Sequence, residues 1–147
     1  MLMSMRAQIE GSRALAYVAA AMSDKAHHHA DAEVRKQNQA AYEFLVPIVK
    51  GWSTELSLDV TSTGVQVHGG MGFIEETGAA QYYRDAQILT IYEGTTAIQA
   101  NDLVGRKTYR DAGAVAKHFI AQVRATEAEL HATGDANLKA IAVQLAI

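Results

Sequence analysis

Proline occurs once in these 147 residues, at position 47, and this scarcity limits the fold more than any other feature of the sequence. Because proline ends or kinks helices, a chain with almost none can continue helices over long stretches. Alanine, the strongest helix former, is abundant as well. Apolar residues recur at helical spacing from Met1 to about Lys25 and again from Ala32 to Val67. We therefore predict an all-α fold, a helical bundle whose long helices are joined by short breaks.

The residues that interrupt these patterns set the expected element boundaries. The segment from His27 to Asp31 is polar and is predicted to be a connection. We predict further, in chain order, a kink at Pro47, a glycine turn at Gly69, Gly70 and Gly72, a short helix over 78–85, an extended passage over 86–92, a helix from Thr95 to Gly105 or Lys107, a helix over 112–132 that stops at Gly134, and one more helix. Both termini read as interrupted helices, so we expect a chain truncated at both ends.

Composition excludes several classes of protein. The net charge is -3 with no block of basic residues, which argues against a nucleic-acid partner. No apolar run approaches the roughly 20 residues that a membrane span requires. Cysteine is absent, which excludes disulfides and thiol chemistry and is compatible with a reducing compartment, so we expect a cytoplasmic protein.

The run His27, His28 and His29 is the first candidate for a site. Three imidazoles could bind zinc or nickel, but adjacent helical positions point in different directions and no carboxylate follows at the spacing of a zinc motif. A solvated polar connection is the favoured interpretation, and we predict no metal site.

The second candidate is the glycine turn QVHGGMGF, residues 66–73. Glycines allow close approach of a backbone or a phosphate, but the spacing does not match the dinucleotide-binding fingerprint and the turn follows a helix. A turn that ends the helix is favoured over a ligand cradle, with His68 as a hydrogen-bonded structural residue.

The third candidate is IYEGTTAIQ, residues 91–99, in which Glu93 precedes a helix that Thr95 and Thr96 can cap. The helix dipole favours the charged carboxylate, whereas burial beside Ile91 and Tyr92 would raise its affinity for a proton, as a useful general base requires. From these residues alone, a helix-entry carboxylate and a catalytic base remain equally open.

Three motifs that follow one another along the chain favour the catalytic base over the helix-entry carboxylate. QVHGGMGF, then YYRDAQI, then IYEGTTAIQ resemble, at matching separations, the signature of the acyl-CoA dehydrogenase family. The resemblance covers most of the chain and implies that family's C-terminal helical domain over residues 1–110, without the first helix of its bundle. The segments ADAEVRK, FLVPIVKGW and AIQANDLVGRK resemble the extended, 3-methylmercaptopropionyl-CoA dehydrogenase-like branch. That likeness implies that residues 111–147 begin an additional helical extension.

The resemblance also implies a reaction, the α,β-dehydrogenation of an acyl-CoA thioester to the trans-2-enoyl-CoA. Glu93 would be the base that removes the α-proton, while the β-hydride passes to flavin N5. The backbone N–H of Glu93, with a ribityl hydroxyl of FAD, would hold the thioester carbonyl. Tyr92 and Gly94 would contact the substrate, with Gly94 allowing its close passage along the main chain.

The implied cofactor contacts fall into two groups. Thr95 and Thr96 match positions that contact FAD, and a second group matches a turn that reaches the FAD of a neighbouring subunit: Gln66, Val67, Gly69 and Gly70. Ala97 stands where the family often has glutamine, so one side-chain contact to FAD is missing. Arg84 and Asp85 are interpreted as structural residues that position the Glu93 segment.

The implied partners are an acyl-CoA substrate, electron-transfer flavoprotein or a similar acceptor, and further copies of the chain in a dimer or tetramer. Because the family's other domains supply most of the flavin and acyl pocket, we expect the isolated chain neither to hold FAD firmly nor to turn over. Two alternatives remain: a helical oligomerisation module, and a non-dehydrogenase relative of the alkylation-response branch, which the acidic charge disfavours.

Overall fold

The structure, a computed structural model, describes residues 1–145. Over this range the chain is helical and has no strand, so the predicted all-α class is confirmed. The α-helices are α1 (Leu2–His28), α2 (Ala32–Val67), α3 (Gly70–Phe73), α4 (Ala79–Leu89), α5 (Thr96–Asn101), α6 (Ala114–Ala132) and α7 (Ala136–Leu145). A 3-10 turn spans Glu75–Thr77 and a π-helix spans Asp102–Thr108. None of the helices within residues 1–145 is long and apolar enough to cross a membrane.

The chain divides into two compact units, Met1–Lys107 and Thr108–Ile147. The predicted extension, residues 111–147, falls in the second unit, and its last two residues lie outside the described part. The predicted domain boundary at residue 110 stays a prediction.

Two long helices, α1 and α2, form the frame of the first unit and run antiparallel. Ser12 Oγ lies 2.8 Å from Ser53 Oγ, and Gly64 packs against Met5, so early positions of α1 meet late positions of α2. Asp31 begins α2 as its N-cap, because its carboxylate accepts hydrogen bonds from the backbone N–H of Glu33 (2.8 Å) and Val34 (3.4 Å).

Two expectations for these helices change in detail. The predicted connection over 27–31 is too long, since α1 continues to His28 and only residues 29–31 separate the helices. Helix α2 is continuous across the buried Pro47. The kink predicted there stays a prediction.

The predicted extended passage over 86–92 is wrong. Helix α4 continues past Asp85 to Leu89, and Ala86 is one of the most buried residues of the chain because α4 packs on α2 at that point. Burial on this face outweighs the weak local preference of the β-branched and aromatic residues for an extended backbone. The chain then turns over residues 90–93.

The helix predicted from Thr95 to Gly105 or Lys107 is two elements. Helix α5 ends at Asn101 and the chain continues as a π-helix. Lys107 at its end donates to Glu43 of α2 at 3.0 Å. The hydrogen bond from the Gln39 amide, and next that from Lys107, lower the pKa of Glu43 below its usual 4.5.

In the second unit, α6 packs against α7. The Asp111 carboxylate accepts hydrogen bonds from Gly113 N (2.9 Å) and Val115 N (3.1 Å), and Ala112 and Gly113 both have positive φ. This turn places the start of α6 at residue 114, two residues later than predicted. Ala142 of α7 is fully buried.

Candidate active site

The turn between α4 and α5, residues 90–95, carries the candidate base Glu93. The backbone N–H groups of Ile91 and Tyr92 both donate to Ile88 O, at 3.0 and 3.1 Å. Two left-handed residues follow, Glu93 with φ 51° and Gly94 with φ 97°. A left-handed non-glycine residue costs roughly 1–3 kcal/mol and persists only where its surroundings hold it. The turn is therefore constrained by the contacts around it.

Glu93 lies on the surface of the described chain. The burial expected for it beside Ile91 and Tyr92 is wrong within this range, because those side chains are themselves 60% and 46% exposed. The carboxylate is presented outward and is accessible to another molecule.

Three side chains that the sequence interpretation missed hold this turn. Lys50 of α2 donates from Nζ to Leu89 O at 2.6 Å, and its Nζ lies 5.6 Å from the centroid of the Tyr92 ring. Gln99 of α5 donates to Gly94 O at 3.5 Å, and Glu55 of α2 accepts from the first residue of α5. The available signal was Lys50 itself, a lysine within the apolar run of FLVPIVKGW.

Glycine at position 94 is favoured by the backbone conformation, and a side chain there would also displace Gln99. The φ of 97° at Gly94 is a region that L side chains rarely adopt, and a Cβ built there would lie 2.6 Å from Gln99 Nε2. No side chain can therefore stand between the Gly94 backbone and the Gln99 amide without displacing that amide.

The two threonines have different roles. Thr95 is the N-cap of α5, since its Oγ1 accepts from Ile98 N at 3.3 Å, and the predicted threonine cap is confirmed at this position. Thr96 Oγ1 donates to Glu55 Oε1 at 2.5 Å. Because a hydroxyl has one proton, this bond leaves Thr96 to face another ligand as a hydrogen-bond acceptor. Ala97 is exposed and offers no polar group.

The glycine turn after α2 forms a separate surface. Its candidate residues are all exposed: Gln66, Val67, Gly69 and Gly70. Gly69 has φ 59°, and a Cβ at either glycine would meet nothing within 4 Å. Within the same motif, Gly72 is buried, and Gly70 and Gly72 lie in the short helix α3 instead of an irregular turn.

The structure does not bring the two candidate groups together. Gln66 follows Glu55 by eleven positions on α2, about 16 Å along a helix that rises 1.5 Å per residue. The glycine turn therefore lies away from the Glu93 turn on this chain.

Arg84 and Asp85 contact neighbours on the surface of α4. Arg84 donates to Gln81 Oε1 at 2.7 Å and lies 3.4 Å from Glu75 Oε1, while Asp85 accepts from Gln81 Nε2 at 2.6 Å. These bonds stay within α4 and the preceding 3-10 turn. The contacts to the Glu93 turn come instead from α2 and α5.

The histidines make local contacts. His27 Nδ1 lies 2.7 Å from Ser23 O, and His29 Nδ1 accepts from Asp31 N at 3.1 Å. His68 Nδ1 lies 2.9 Å from Gly64 O, which fits the structural role predicted for it. Within residues 1–145, no three histidine, aspartate or glutamate side chains are arranged to hold a metal ion.

Comparison with known proteins identifies the family of the chain. The family model for the acyl-CoA dehydrogenase C-terminal domain matches residues 1–108 of the sequence. The chain is 57% identical to 3-methylmercaptopropionyl-CoA dehydrogenase of Ruegeria pomeroyi over 99% of its own length and 24% of that protein's. It is 37% identical to a broad-specificity linear acyl-CoA dehydrogenase of Mycobacterium tuberculosis, over 84% of the chain and 20% of the relative. It is 32% identical to the CarC subunit of the caffeyl-CoA reductase–Etf complex of Acetobacterium woodii, over 67% of the chain and 23% of that subunit. The chain thus spans a quarter or less of the length of these relatives.

Proposed function

The chain belongs to the acyl-CoA dehydrogenase family. From that membership we propose that it carries the C-terminal helical domain of a longer FAD-dependent enzyme that oxidises an acyl-CoA thioester to the trans-2-enoyl-CoA. The observation that carries the proposal is the turn at Glu93. Glu93 is exposed and has a left-handed backbone, and side chains of two helices contact the backbone on either side of it, at Leu89 and Gly94. A reacting group that must meet a separate substrate requires this combination of access and fixed position.

In this mechanism Glu93 removes the α-proton of the thioester. The electron pair of the broken C–H bond forms the new α,β double bond as a hydride leaves the β-carbon. FAD, when bound, would supply the acceptor of that hydride at N5. The α-proton is barely acidic until negative charge on the thioester oxygen is stabilised, and the Glu93 backbone N–H would donate to that oxygen.

The residues beside Glu93 would shape the path of the substrate. Gly94 leaves the main chain bare, so that a thioester could pass close to it. The Tyr92 ring, nearly half exposed, would contact the acyl chain on the other side of the base.

The residues proposed for FAD fit such a ligand. Thr96 presents a hydroxyl oxygen as an acceptor for an N–H or O–H group of the cofactor. The bare backbone at Gly69 and Gly70 has open space above it for a second contact, with Gln66 and Val67 beside it. Thr95 would contribute mainly by fixing the start of α5. Ala97 supplies no polar side-chain contact.

The distance between these two surfaces supports an oligomer. The glycine turn lies about 16 Å from Glu55 along α2. We propose that it contacts the FAD of a neighbouring copy in a dimer or tetramer. The similarity to a protein named as a subunit of an Etf complex supports electron-transfer flavoprotein, or a similar carrier, as the acceptor of the electrons.

Replacing Glu93 by Gln in the full-length polypeptide tests the base. The amide keeps the shape of the side chain but cannot accept the α-proton, so bleaching of flavin absorbance by acyl-CoA should slow by about 10²- to 10⁴-fold while FAD stays bound. The substrates are a panel that includes 3-methylmercaptopropionyl-CoA and butyryl-CoA. Glu76→Gln, on an exposed glutamate outside the turn, is the matched control and should bleach normally.

Two outcomes would contradict the proposal. Normal bleaching by Glu93→Gln would place the base elsewhere. A wild-type polypeptide that associates but is bleached by no thioester would favour the oligomerisation module. The isolated chain of residues 1–147 should retain no flavin through gel filtration, and a persistent flavin band would contradict that expectation.

A further inference from the structure

Lys50 of α2 contacts the end of α4 through a hydrogen bond. Its Nζ donates to Leu89 O at 2.6 Å, in a partly buried position. Leu89 is the last residue of α4, and the last carbonyls of a helix have no partner within the helix. A cation is also favoured at the negative end of the helix dipole. Lys50 therefore fixes the point at which the chain leaves α4 for the Glu93 turn.

The same ammonium group reaches a second point on the turn. Its Nζ lies 5.6 Å from the centroid of the Tyr92 ring, within the range of a cation–π contact. Tyr92 immediately precedes Glu93. One side chain thus contacts the turn at the carbonyl where it begins and at the residue directly before the base.

Contacts on the opposite side of Glu93 complete the arrangement. Gln99 donates to Gly94 O at 3.5 Å, and the Gln99 stem packs beside Gly51, where a built Cβ would lie 3.5 Å from Gln99 Cβ. Gly51 is the neighbour of Lys50 on α2. The backbone on both sides of the left-handed Glu93 is therefore held from adjacent positions of α2. Lys50 contacts one side directly, and Gly51 packs against Gln99, which contacts the other side.

We propose, resting on the proposed function, that Lys50 is a positioning residue for the base. It contacts neither the carboxylate nor the substrate in this role. It holds the backbone of the turn so that Glu93 keeps its φ of 51° and presents its carboxylate in a single direction. Without Lys50 the turn relaxes toward an ordinary backbone conformation, and the carboxylate moves away from the α-carbon.

The test compares variants of the full-length holoenzyme. Lys50→Met removes the donor and the charge but keeps most of the apolar stem. Lys36→Met removes the same charge from an exposed position of the same helix and is the matched control. Because a misplacement of about 1 Å can cost about 10²-fold in rate, we expect Lys50→Met to slow flavin bleaching by about 10- to 100-fold. FAD content and KM should change little, and Lys50→Arg, which keeps a cationic donor, should restore part of the rate.

Two further readouts separate positioning from a general structural role. With 3-methylmercaptopropionyl-CoA deuterated at the α-carbon, the isotope effect on bleaching should be larger in Lys50→Met than in Lys36→Met, because proton removal becomes the slow step. Amide hydrogen exchange of residues 89–96 should be faster in Lys50→Met alone. If Lys50→Met does not fold, the same measurements compare Lys50→Gln with Lys36→Gln. Glutamine is a shorter and neutral hydrogen-bond donor.

The proposal is overturned if Lys50→Met matches Lys36→Met in rate and isotope effect, whether or not its exchange is faster. Glu93→Gln, measured in parallel, separates this failure from failure of the proposed function. If Glu93→Gln bleaches at the wild-type rate, the base is wrong. If Glu93→Gln is inactive while Lys50→Met is normal, the base stands and only the positioning role fails.

Discussion

Gly72 lies where helix α3 packs so closely against α2 that there is no room for a side chain. The residue is buried in α3, and a Cβ built on it would lie 2.2 Å from Val65 O and 3.0 Å from His68 Cβ. The nearest atom is backbone oxygen of α2, so no side-chain rotation can relieve the clash and α3 must move away from α2. Overpacking costs typically 1–3 kcal/mol, so for a rigid backbone neighbour we expect Gly72→Ala to lose about 3 kcal/mol of the free energy of unfolding.

Gly70, two positions earlier in the same helix, is the matched control. A Cβ there meets nothing within 4 Å, so Gly70→Ala should be neutral or stabilising by up to about 1 kcal/mol. The assay is urea unfolding followed by the fluorescence of Trp52, the single tryptophan, which lies on α2. With a urea dependence of about 1–3 kcal/mol per molar, Gly72→Ala should lower the midpoint by between about 1 and 3 M. Equal midpoints for the two variants would refute the close approach of α3 to α2.

Substitutions at three further positions test the turn, an ion pair and a helix cap. Gly94→Ala places a Cβ at φ 97° and 2.6 Å from the Gln99 amide, so bleaching should slow by at least about tenfold with FAD retained; an unchanged rate would show that the turn tolerates a side chain. Because the pKa of Glu43 is lowered in the fold, its charge stabilises the fold at pH values above 4.5, the usual pKa of the group. This contribution is lost as the pH falls below that value. Glu43→Gln should therefore cost up to about 1 kcal/mol near neutral pH, because the group is half exposed, and this cost should shrink as the pH falls below 4.5. Urea midpoints of the variant and the wild type at neutral and at acid pH check this. Thr95→Ala should cost about 1 kcal/mol through the lost cap, whereas Thr95→Ser should cost clearly less in the same urea assay.

The fold was largely predictable where a local signal agreed with packing. Asp31 begins α2 and the glycines after Val67 end it, since a side-chain cap and a left-handed glycine act within a few residues. The same holds for Thr95 at the start of α5. The extent of α4 was not predictable in this way, because Ala86 is helical through burial against α2, which the local sequence does not report.

The candidate site shows the same division. The position of Glu93 and the conformational freedom of Gly94 were readable from IYEGTTAIQ. The left-handed backbone of Glu93 itself was not, because it depends on contacts from α2 and α5. Lys50 approaches the turn only after α4 has packed on α2, so its role required the tertiary structure.

The most direct measurement is a structure of the full-length polypeptide with FAD and a bound, unreactive acyl-CoA analogue. If Glu93 is the base, its carboxylate oxygen lies about 3–3.5 Å from the α-carbon of the thioester, the separation of groups poised to react. The turn keeps its left-handed Glu93, and Lys50 keeps its bond to Leu89 O. A different carboxylate at the α-carbon, with Glu93 directed into solvent, would contradict the assignment.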